Sequence, residues 1–176
     1  KGIPHLILNG ASKAFDATGF RIGYVLVPED DRMSEELKHK LADYCRVRLS
    51  SNTPAQYAIA SAMNDRTGHQ ETVGKMIAAI EGIVESAMKL LGENQYLSTV
   101  RPRGAFYIFP RIDMGALEFK DDREFVHTLL KEKLVQTTRG SGFGARNHFR
   151  VVALAPKNVM VDCIERINDF CKEHSK

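Results

Sequence analysis

One stretch of the sequence carries most of the information about this chain: Asn9-Gly-Ala-Ser-Lys-Ala-Phe-Asp-Ala-Thr-Gly-Phe-Arg-Ile-Gly-Tyr24. Apolar runs at residues 6–8 and 21–27 predict two buried strands, with a turn of small residues between them. Lys13 lies in this turn. A lysine held partly desolvated can form a Schiff base with a carbonyl cofactor. On residue type alone, however, the commoner interpretation is an exposed loop lysine, since most lysines are solvated.

The rest of the chain divides into a helical part and a mixed part. Helices are predicted from about Ser34 to Arg48, from a capping box at Thr53-Pro-Ala-Gln56 through Met63, and after Gly68 as far as Gly92. Strands are then predicted at residues 99–100, 105–109, 134–138 and 149–154, with helices starting at Asp121 and at about Asn158. Residues 1–73 therefore fit the end of a larger α/β domain, and residues 74–176 a small α+β domain.

The composition excludes several classes of protein. The chain has 176 residues, 43% hydrophobic and 27% charged, which is enough to bury a core, and no apolar run is long enough to span a membrane. A net charge of +3 is spread along the chain, so we expect no nucleic-acid partner. Neither the six histidines nor Cys45, Cys163 and Cys171 have metal-ligand spacing, which predicts reduced, mostly buried thiols and no metal site. The sequence predicts a soluble, cytoplasmic protein.

The stretch around Lys13 resembles the lysine motif of the fold-type I, pyridoxal-phosphate-dependent aminotransferases of class I/II. The shared pattern is Ser-Lys followed by Thr-Gly-aromatic-Arg-x-Gly-Tyr, with the same spacing from Lys13 to Arg21. The resemblance implies that Lys13 carries pyridoxal 5'-phosphate and that Arg21 binds the cofactor phosphate, for which a planar guanidinium is well suited. It also implies that the Ser12 hydroxyl contacts this phosphate. Ser12 fits equally well a turn hydroxyl that bonds its own backbone.

Further matches follow in the order of the family. They are Asn52-Thr-Pro-Ala-Gln56, Arg101-Pro-Arg-Gly-Ala-Phe-Tyr-Ile-Phe-Pro110, Gly140-Ser-Gly-Phe-Gly144 and His148-Phe-Arg-Val-Val152. This combination is most similar to the alanine aminotransferases of bacteria and plants. The resemblance covers the whole chain but only about the C-terminal half of such an enzyme. It implies an α/β fold class, with the end of the large cofactor-binding domain followed by the small C-terminal domain.

Arg150 lies where the family places the arginine that binds the substrate α-carboxylate. Its neighbours Phe149 and Val151 are apolar, so its side chain points to one face of a strand. If that face is buried, the charge needs a partner, and a ligand carboxylate would serve. An edge-strand arginine paired with a surface acid is the alternative. The glycine-rich segment from Gly140 to Gly144 fits either a flexible active-site turn beside Arg150 or an ordinary hairpin turn.

The resemblance implies transfer of an amino group between L-alanine and a 2-oxo acid such as 2-oxoglutarate, in a homodimer. The alternatives are an aspartate or other amino-acid aminotransferase, a carbon–sulfur lyase or cyclopropane-forming synthase that uses pyridoxal phosphate, a non-catalytic sensor domain, and a structural domain. The chain begins at Lys1 and enters an apolar run at once, which predicts that earlier residues are missing. We therefore expect these residues alone to be catalytically weak or inactive, as the family's other cofactor contacts lie upstream of the lysine.

Overall fold

The computed structural model describes residues 5–27 and 32–176. Its helices are α1 (Ala11–Ala14), α2 (Arg32–Val47), α3 (Thr53–Asn64), α4 (Arg66–Gly92), α5 (Asp122–Lys133) and α6 (Lys157–Glu173). Its strands are β1 (Ile7–Gly10), β2 (Gly23–Leu26), β3 (Leu97–Ser98), β4 (Tyr107–Ile108), β5 (Arg111–Ile112), β6 (Thr138–Arg139) and β7 (Phe149–Val152). Contacts divide the chain into two units, Lys1–Lys75 and Met76–Lys176, close to the predicted boundary after residue 73. The assignment of the first unit to a large cofactor-binding domain stays a prediction.

Strands β1 and β2 of the first unit form an antiparallel pair with Gly10 opposite Gly23. A Cβ atom at Gly23 would lie 2.8 Å from the carbonyl oxygen of Asn9, so glycine is what allows the strands to approach this closely. The prediction that both strands are buried was wrong. Their large apolar side chains are exposed, because among the described residues this sheet has only two strands and an isolated pair covers little surface. The exposed side chains are Ile7, Leu8, Val25 and Leu26.

The second unit has one continuous hydrophobic core. Strand β7 is the central strand of a three-stranded antiparallel sheet, with β4 on one side and β6 on the other. Four aromatic rings at the centre of the core contact one another with centroid separations of 5.2–5.3 Å, in tilted, stacked and edge-on geometries that aromatic rings favour. These rings belong to Phe119, Phe125, Phe149 and Phe170. The core therefore joins α5, α6 and β7 into one body.

Several predicted boundaries need correction, although the start of α5 is confirmed: Asp121 accepts a hydrogen bond from the backbone of Glu124 at 2.8 Å. The strand predicted at residues 99–100 lies at Leu97–Ser98 instead, where it pairs with β5. The strand predicted at residues 134–138 begins only at Thr138, because Leu134 adopts a left-handed conformation that ends α5. Helix α3 is capped by Asn52, whose side chain accepts from Ala55, and not by the predicted threonine one residue later.

The described residues contain no helix that is both long and apolar enough to cross a membrane, and none of their histidine, cysteine and acidic side chains cluster as a metal site would require. The three cysteines are free, as predicted. They differ in exposure, however: Cys171 is buried, Cys163 is half-buried and Cys45 is exposed, so burial was predicted too broadly. Burial raises the pKa of the Cys171 thiol to about 12, and a hydrogen bond with Asn94 opposes this only in part.

His174, just after α6, lies between two glutamates. Its Nδ1 is hydrogen-bonded to Glu118, and its Nε2 lies 2.8 Å from Oε2 of Glu132. The ring also contacts Phe119 and Phe170 of the aromatic core. Burial lowers the pKa of His174, but the hydrogen bonds to the two carboxylates outweigh burial and hold this pKa above its ordinary value. A protonated His174 therefore ties the end of α6 to the segments that carry both glutamates.

We expect the last turn of α6 to be more stable at about pH 6 than at about pH 8. The pKa of His174 in the folded protein is raised, so its contribution to stability is complete below the ordinary value of 6.5 and is lost as the pH rises through the folded pKa. Hydrogen exchange of the backbone amides in this turn, corrected for the intrinsic effect of pH, measures the change. The pH dependence should vanish in His174→Gln; if it persists, other groups cause it.

Candidate active site

The loop between β1 and β2 presents the first group of predicted site residues. Helix α1 is a single turn that carries Ser12 and Lys13, and Ala11 at its start is fully buried. The backbone N–H of Ala11 donates to the carbonyl of Ile22 at 3.0 Å, which closes the loop next to the last strand pair, Gly10 and Gly23. The hydroxyl of Thr18 donates to the backbone carbonyl of Ser12 at 3.2 Å. The loop is therefore held by hydrogen bonds to its own backbone.

Lys13 is exposed in the structure, and Ser12 is half-buried. The sequence left open a partly desolvated lysine beside the commoner exposed loop lysine, and among the described residues the exposed form is found. The physical reason is the same as for the exposed strands, namely that a two-stranded sheet and a one-turn helix cannot surround a long side chain. The position of Lys13, directly after a strand and at the end of a short helical turn, agrees with the predicted turn.

Arg21 has a backbone conformation that the sequence did not reveal. Its φ and ψ angles of 53° and 41° place it in the left-handed region, which residues with a Cβ atom rarely adopt. One guanidinium nitrogen of Arg21 donates to the backbone carbonyl of Thr18 at 2.9 Å and so fixes the side chain against its own loop. Backbone strain of this kind is concentrated at binding and catalytic sites. The loop thus fixes the direction of a guanidinium beside the lysine-bearing turn.

Arg150 lies in the second unit, on the central strand β7. Its neighbours Phe149 and Val151 are buried in the core, so the pleat turns Arg150 to the other face, as the sequence predicted. The Nε atom of Arg150 is buried and has no hydrogen-bond partner among the described residues. No carboxylate of those residues forms an ion pair with its guanidinium. The alternative of an edge-strand arginine paired with a surface acid is therefore wrong: β7 is central, and no acid in the described part of the chain pairs with the charge.

Two aromatic rings hold the Arg150 guanidinium by cation–π contacts. Its Cζ atom lies 4.6 Å from the ring centroid of Tyr107 and 4.2 Å from that of Phe143. Tyr107 pairs with Val152, two residues beyond Arg150, so Tyr107 and Arg150 are diagonal neighbours on one face of the β4–β7 pair. Sequence reasoning missed both rings. The register of β4 against β7 would have revealed Tyr107, but nothing in the sequence places Phe143.

Phe143 belongs to the glycine-rich turn, which is a 3-10 turn at Gly140–Phe143 between β6 and β7. The backbone N–H of Gly140 donates to the carbonyl of His148 at 2.7 Å, and the N–H of Ala145 donates back to Gly140 at 3.1 Å. The turn is thus a hairpin connection that lies beside Arg150, and its role as a flexible active-site turn stays a prediction. His148 stacks on Phe109 with ring centroids 5.1 Å apart.

Comparison with known proteins identifies the family of this chain. The sequence model of the family "Aminotransferase class I and II" matches residues 1–167. The chain belongs to the class I and II aminotransferases. This family depends on pyridoxal 5'-phosphate. The aspartate aminotransferase of Bacillus subtilis is 34% identical over 174 residues, 97% of this chain and 42% of that protein. The alanine aminotransferase of Mycobacterium tuberculosis is 31% identical over 170 residues, 94% of this chain and 39% of that protein.

Solved aminotransferase structures show the same fold. The alanine aminotransferase from Pyrococcus furiosus has a TM-score of 0.85 and 34% identity, and the match covers 99% of this chain and 44% of that chain. The aromatic aminotransferase from Pyrococcus horikoshii has a TM-score of 0.82 and 31% identity, with 96% of this chain and 43% of that chain covered. The chain therefore spans about two fifths of the length of these aminotransferases.

The donors on the loop between β1 and β2 fit pyridoxal phosphate. A primary amine on Lys13 suits the cofactor carbonyl, and the guanidinium of Arg21 suits its phosphate. The half-buried hydroxyl of Ser12 adds a neutral donor on the same helical turn as the amine. These donors lie within one unit and one loop, whereas Arg150 belongs to the other unit.

We expect Gly140→Ala to distort the turn that carries Phe143. A Cβ atom there would lie 2.5 Å from the Cβ of His148 and 2.6 Å from the carbonyl oxygen of Ala145, so backbone has to move. The expected loss is about 1–3 kcal/mol of unfolding free energy, as for other overpacked sites, measured by denaturant unfolding. Gly142→Ala is the matched control, because no heavy atom lies within 4 Å of its Cβ position. Equal losses in the two variants would mean that the close approach at Gly140 is not the cause.

Proposed function

We propose that this chain is the C-terminal part of an aminotransferase that moves an amino group between L-alanine and a 2-oxo acid such as 2-oxoglutarate. The observation that carries the proposal is the family match over residues 1–167, which contains every position of the lysine, phosphate and carboxylate motifs. Relatives named for aspartate and for alanine match with similar identity. Amino transfer is common to both groups, and the combination of motifs favours alanine.

In this proposal the residues 1–73 complete the large cofactor-binding domain, and residues 74–176 form the small domain. Lys13 and Ser12 on α1, with Arg21, hold the cofactor. Lys13 would hold the cofactor covalently through its amine, and Arg21 and Ser12 would bind its phosphate by hydrogen bonds. Pyridoxal phosphate supplies a conjugated ring that withdraws electrons from the substrate α-carbon. The proposed enzyme acts as a cytoplasmic homodimer, in keeping with its family.

Lys13 has a second role in this proposal, as the base that moves the proton at the substrate α-carbon. A primary amine can act as a base only when it is unprotonated and within reach of that proton. Because Lys13 also anchors the cofactor, its amine is already positioned close to the reacting carbon, which removes most of the entropic cost of bringing the two together. One side chain therefore provides both attachment and proton transfer.

Arg150 binds the substrate α-carboxylate in this proposal. A guanidinium presents two parallel N–H groups that match the two oxygens of a carboxylate. The buried Nε of Arg150 has no hydrogen-bond partner among the described residues, and an external anion would satisfy it, since a buried polar group without a hydrogen bond is costly. The rings of Tyr107 and Phe143 stabilise the cation by their faces and leave its edge available for the carboxylate.

We expect Lys13→Ala, introduced into the complete enzyme, to remove the visible absorption of the covalently held cofactor. The rate of pyruvate formation from L-alanine and 2-oxoglutarate should fall about a thousandfold, the range expected for loss of a catalytic base. Lys40→Ala is the control, because this exposed lysine pairs with Glu36 on the surface of α2. A variant at Lys13 that kept both absorption and rate would disprove the assignment.

We expect L-alanine, but not L-aspartate, to bleach the visible absorption of the holoenzyme. Pyruvate or 2-oxoglutarate should then restore it, since transamination is reversible and each half-reaction changes the cofactor. Absorption spectra after each addition provide the measurement. Bleaching by aspartate alone would identify an aspartate aminotransferase instead. Release of ammonia with the keto acid would identify a lyase, and an absorption that no amino acid moves would favour a sensor domain.

A further inference from the structure

Asp122 is a buried carboxylate to which the proposed function gives no role. It is 3% exposed and lies in the first turn of α5, directly after the capping residue Asp121. Its Oδ2 atom accepts a hydrogen bond from the backbone N–H of Ser141 at 2.6 Å. Helix capping does not need this side chain, because Asp121 already accepts from Glu124. The contact of Asp122 therefore reaches away from its own helix, over 19 residues of sequence.

This hydrogen bond is of a strong kind. A carboxylate that accepts from a backbone N–H at short distance makes a charge-assisted bond, and burial strengthens it by excluding water. The N-terminal end of α5 favours a negative charge at this place. Asp122 thus fixes the backbone of Ser141, and with it the 3-10 turn at Gly140–Phe143, to the start of α5.

The turn determines where the Phe143 ring lies. Phe143 is two residues beyond Ser141, and its ring centroid is 4.2 Å from Cζ of Arg150. The side chain is 51% exposed, so packing in the core does not hold it, and its edge contact with Phe109 has centroids 6.4 Å apart. The backbone of the turn must therefore supply most of the order of this ring. On the other side, Tyr107 is set by the β4–β7 register and needs no such support.

We propose that Asp122 is a positioning residue for carboxylate binding. By fixing Ser141 it keeps the Phe143 ring against the guanidinium of Arg150, which limits the rotamers of Arg150 and aims its N–H groups at the substrate carboxylate. This inference rests on the proposed role of Arg150 as the carboxylate-binding residue. Asp122 thus affects substrate affinity indirectly. It accepts a hydrogen bond from Ser141, and the ring of Phe143, two residues later, contacts the guanidinium.

The test measures binding of propionate, a carboxylate without an amino group, to the holoenzyme by calorimetry, together with KM and kcat for L-alanine. We expect Asp122→Ala to weaken propionate binding about tenfold, the effect of one hydrogen bond to a charged group, and to raise KM by a similar factor with a smaller change in kcat. Asp122→Asn keeps an acceptor oxygen of the same shape and should restore most of the affinity. Asp121→Ala is the matched control: it removes the neighbouring helix cap, lowers thermal stability, and should leave propionate affinity within about twofold.

A double-mutant cycle tests whether the effect of Asp122 on binding is transmitted through the Phe143 ring. If Asp122 acts through the ring, Asp122→Ala combined with Phe143→Ala should bind propionate no more weakly than Phe143→Ala alone. Additive losses would overturn the proposal, as would equal losses in Asp122→Ala and Asp121→Ala. Arg150→Leu distinguishes a failure of this inference from a failure of the proposed function of Arg150. If it abolishes propionate binding while Asp122→Ala has no effect, only this inference fails; if it has no effect itself, the proposed function of Arg150 fails and this inference with it.

Discussion

The alternation of side chains along β7 connects the core of the second unit to the position of Arg150. Phe149 and Val151 point into the core, where Phe149 contacts Phe125, and the pleat then forces Arg150 to the opposite face. Because β7 is paired on both sides, this register cannot slip by one residue without exposing the core and burying the charge. The aromatic core therefore fixes the position of a guanidinium that does not belong to it.

Around this guanidinium the fold uses two different kinds of support. Tyr107 is fixed by strand pairing, which is an inherent consequence of the sheet. Phe143 is fixed by a hairpin turn that depends on close backbone approach at Gly140 and on a buried carboxylate at the start of α5. This second kind of support couples the start of α5, the turn and the Phe143 ring, so changes far from Arg150 can move the ring. The Phe143 ring is half-exposed, which leaves room for a ligand beside it. Its own backbone must therefore hold it in place.

The loop between β1 and β2 is held by local hydrogen bonds and not by burial. Its backbone is closed by hydrogen bonds at Ala11, Thr18 and Arg21, yet its strands and Lys13 remain exposed. Local hydrogen bonds fix the shape of this loop, because they require only residues close in sequence. Burial requires further layers of structure, and the chain spans about two fifths of its relatives. Local hydrogen bonds set the position of Lys13, whereas the burial of its side chain depends on such layers.

The sequence by itself determined the parts that depend on local pattern. The period of apolar residues gave the long helix α4, Asp121 with Glu124 marked the start of α5, and the motifs around Lys13, Arg21 and Arg150 identified the family. Short strands were displaced by a few residues, as at Leu97–Ser98, because a two-residue strand is set by its partner and not by its own residues. Only the tertiary structure decided the left-handed backbone of Arg21, the rings on Arg150 and the bond from Asp122 to Ser141. These contacts join residues distant in sequence or depend on backbone angles, and neither leaves a periodic signal in the chain.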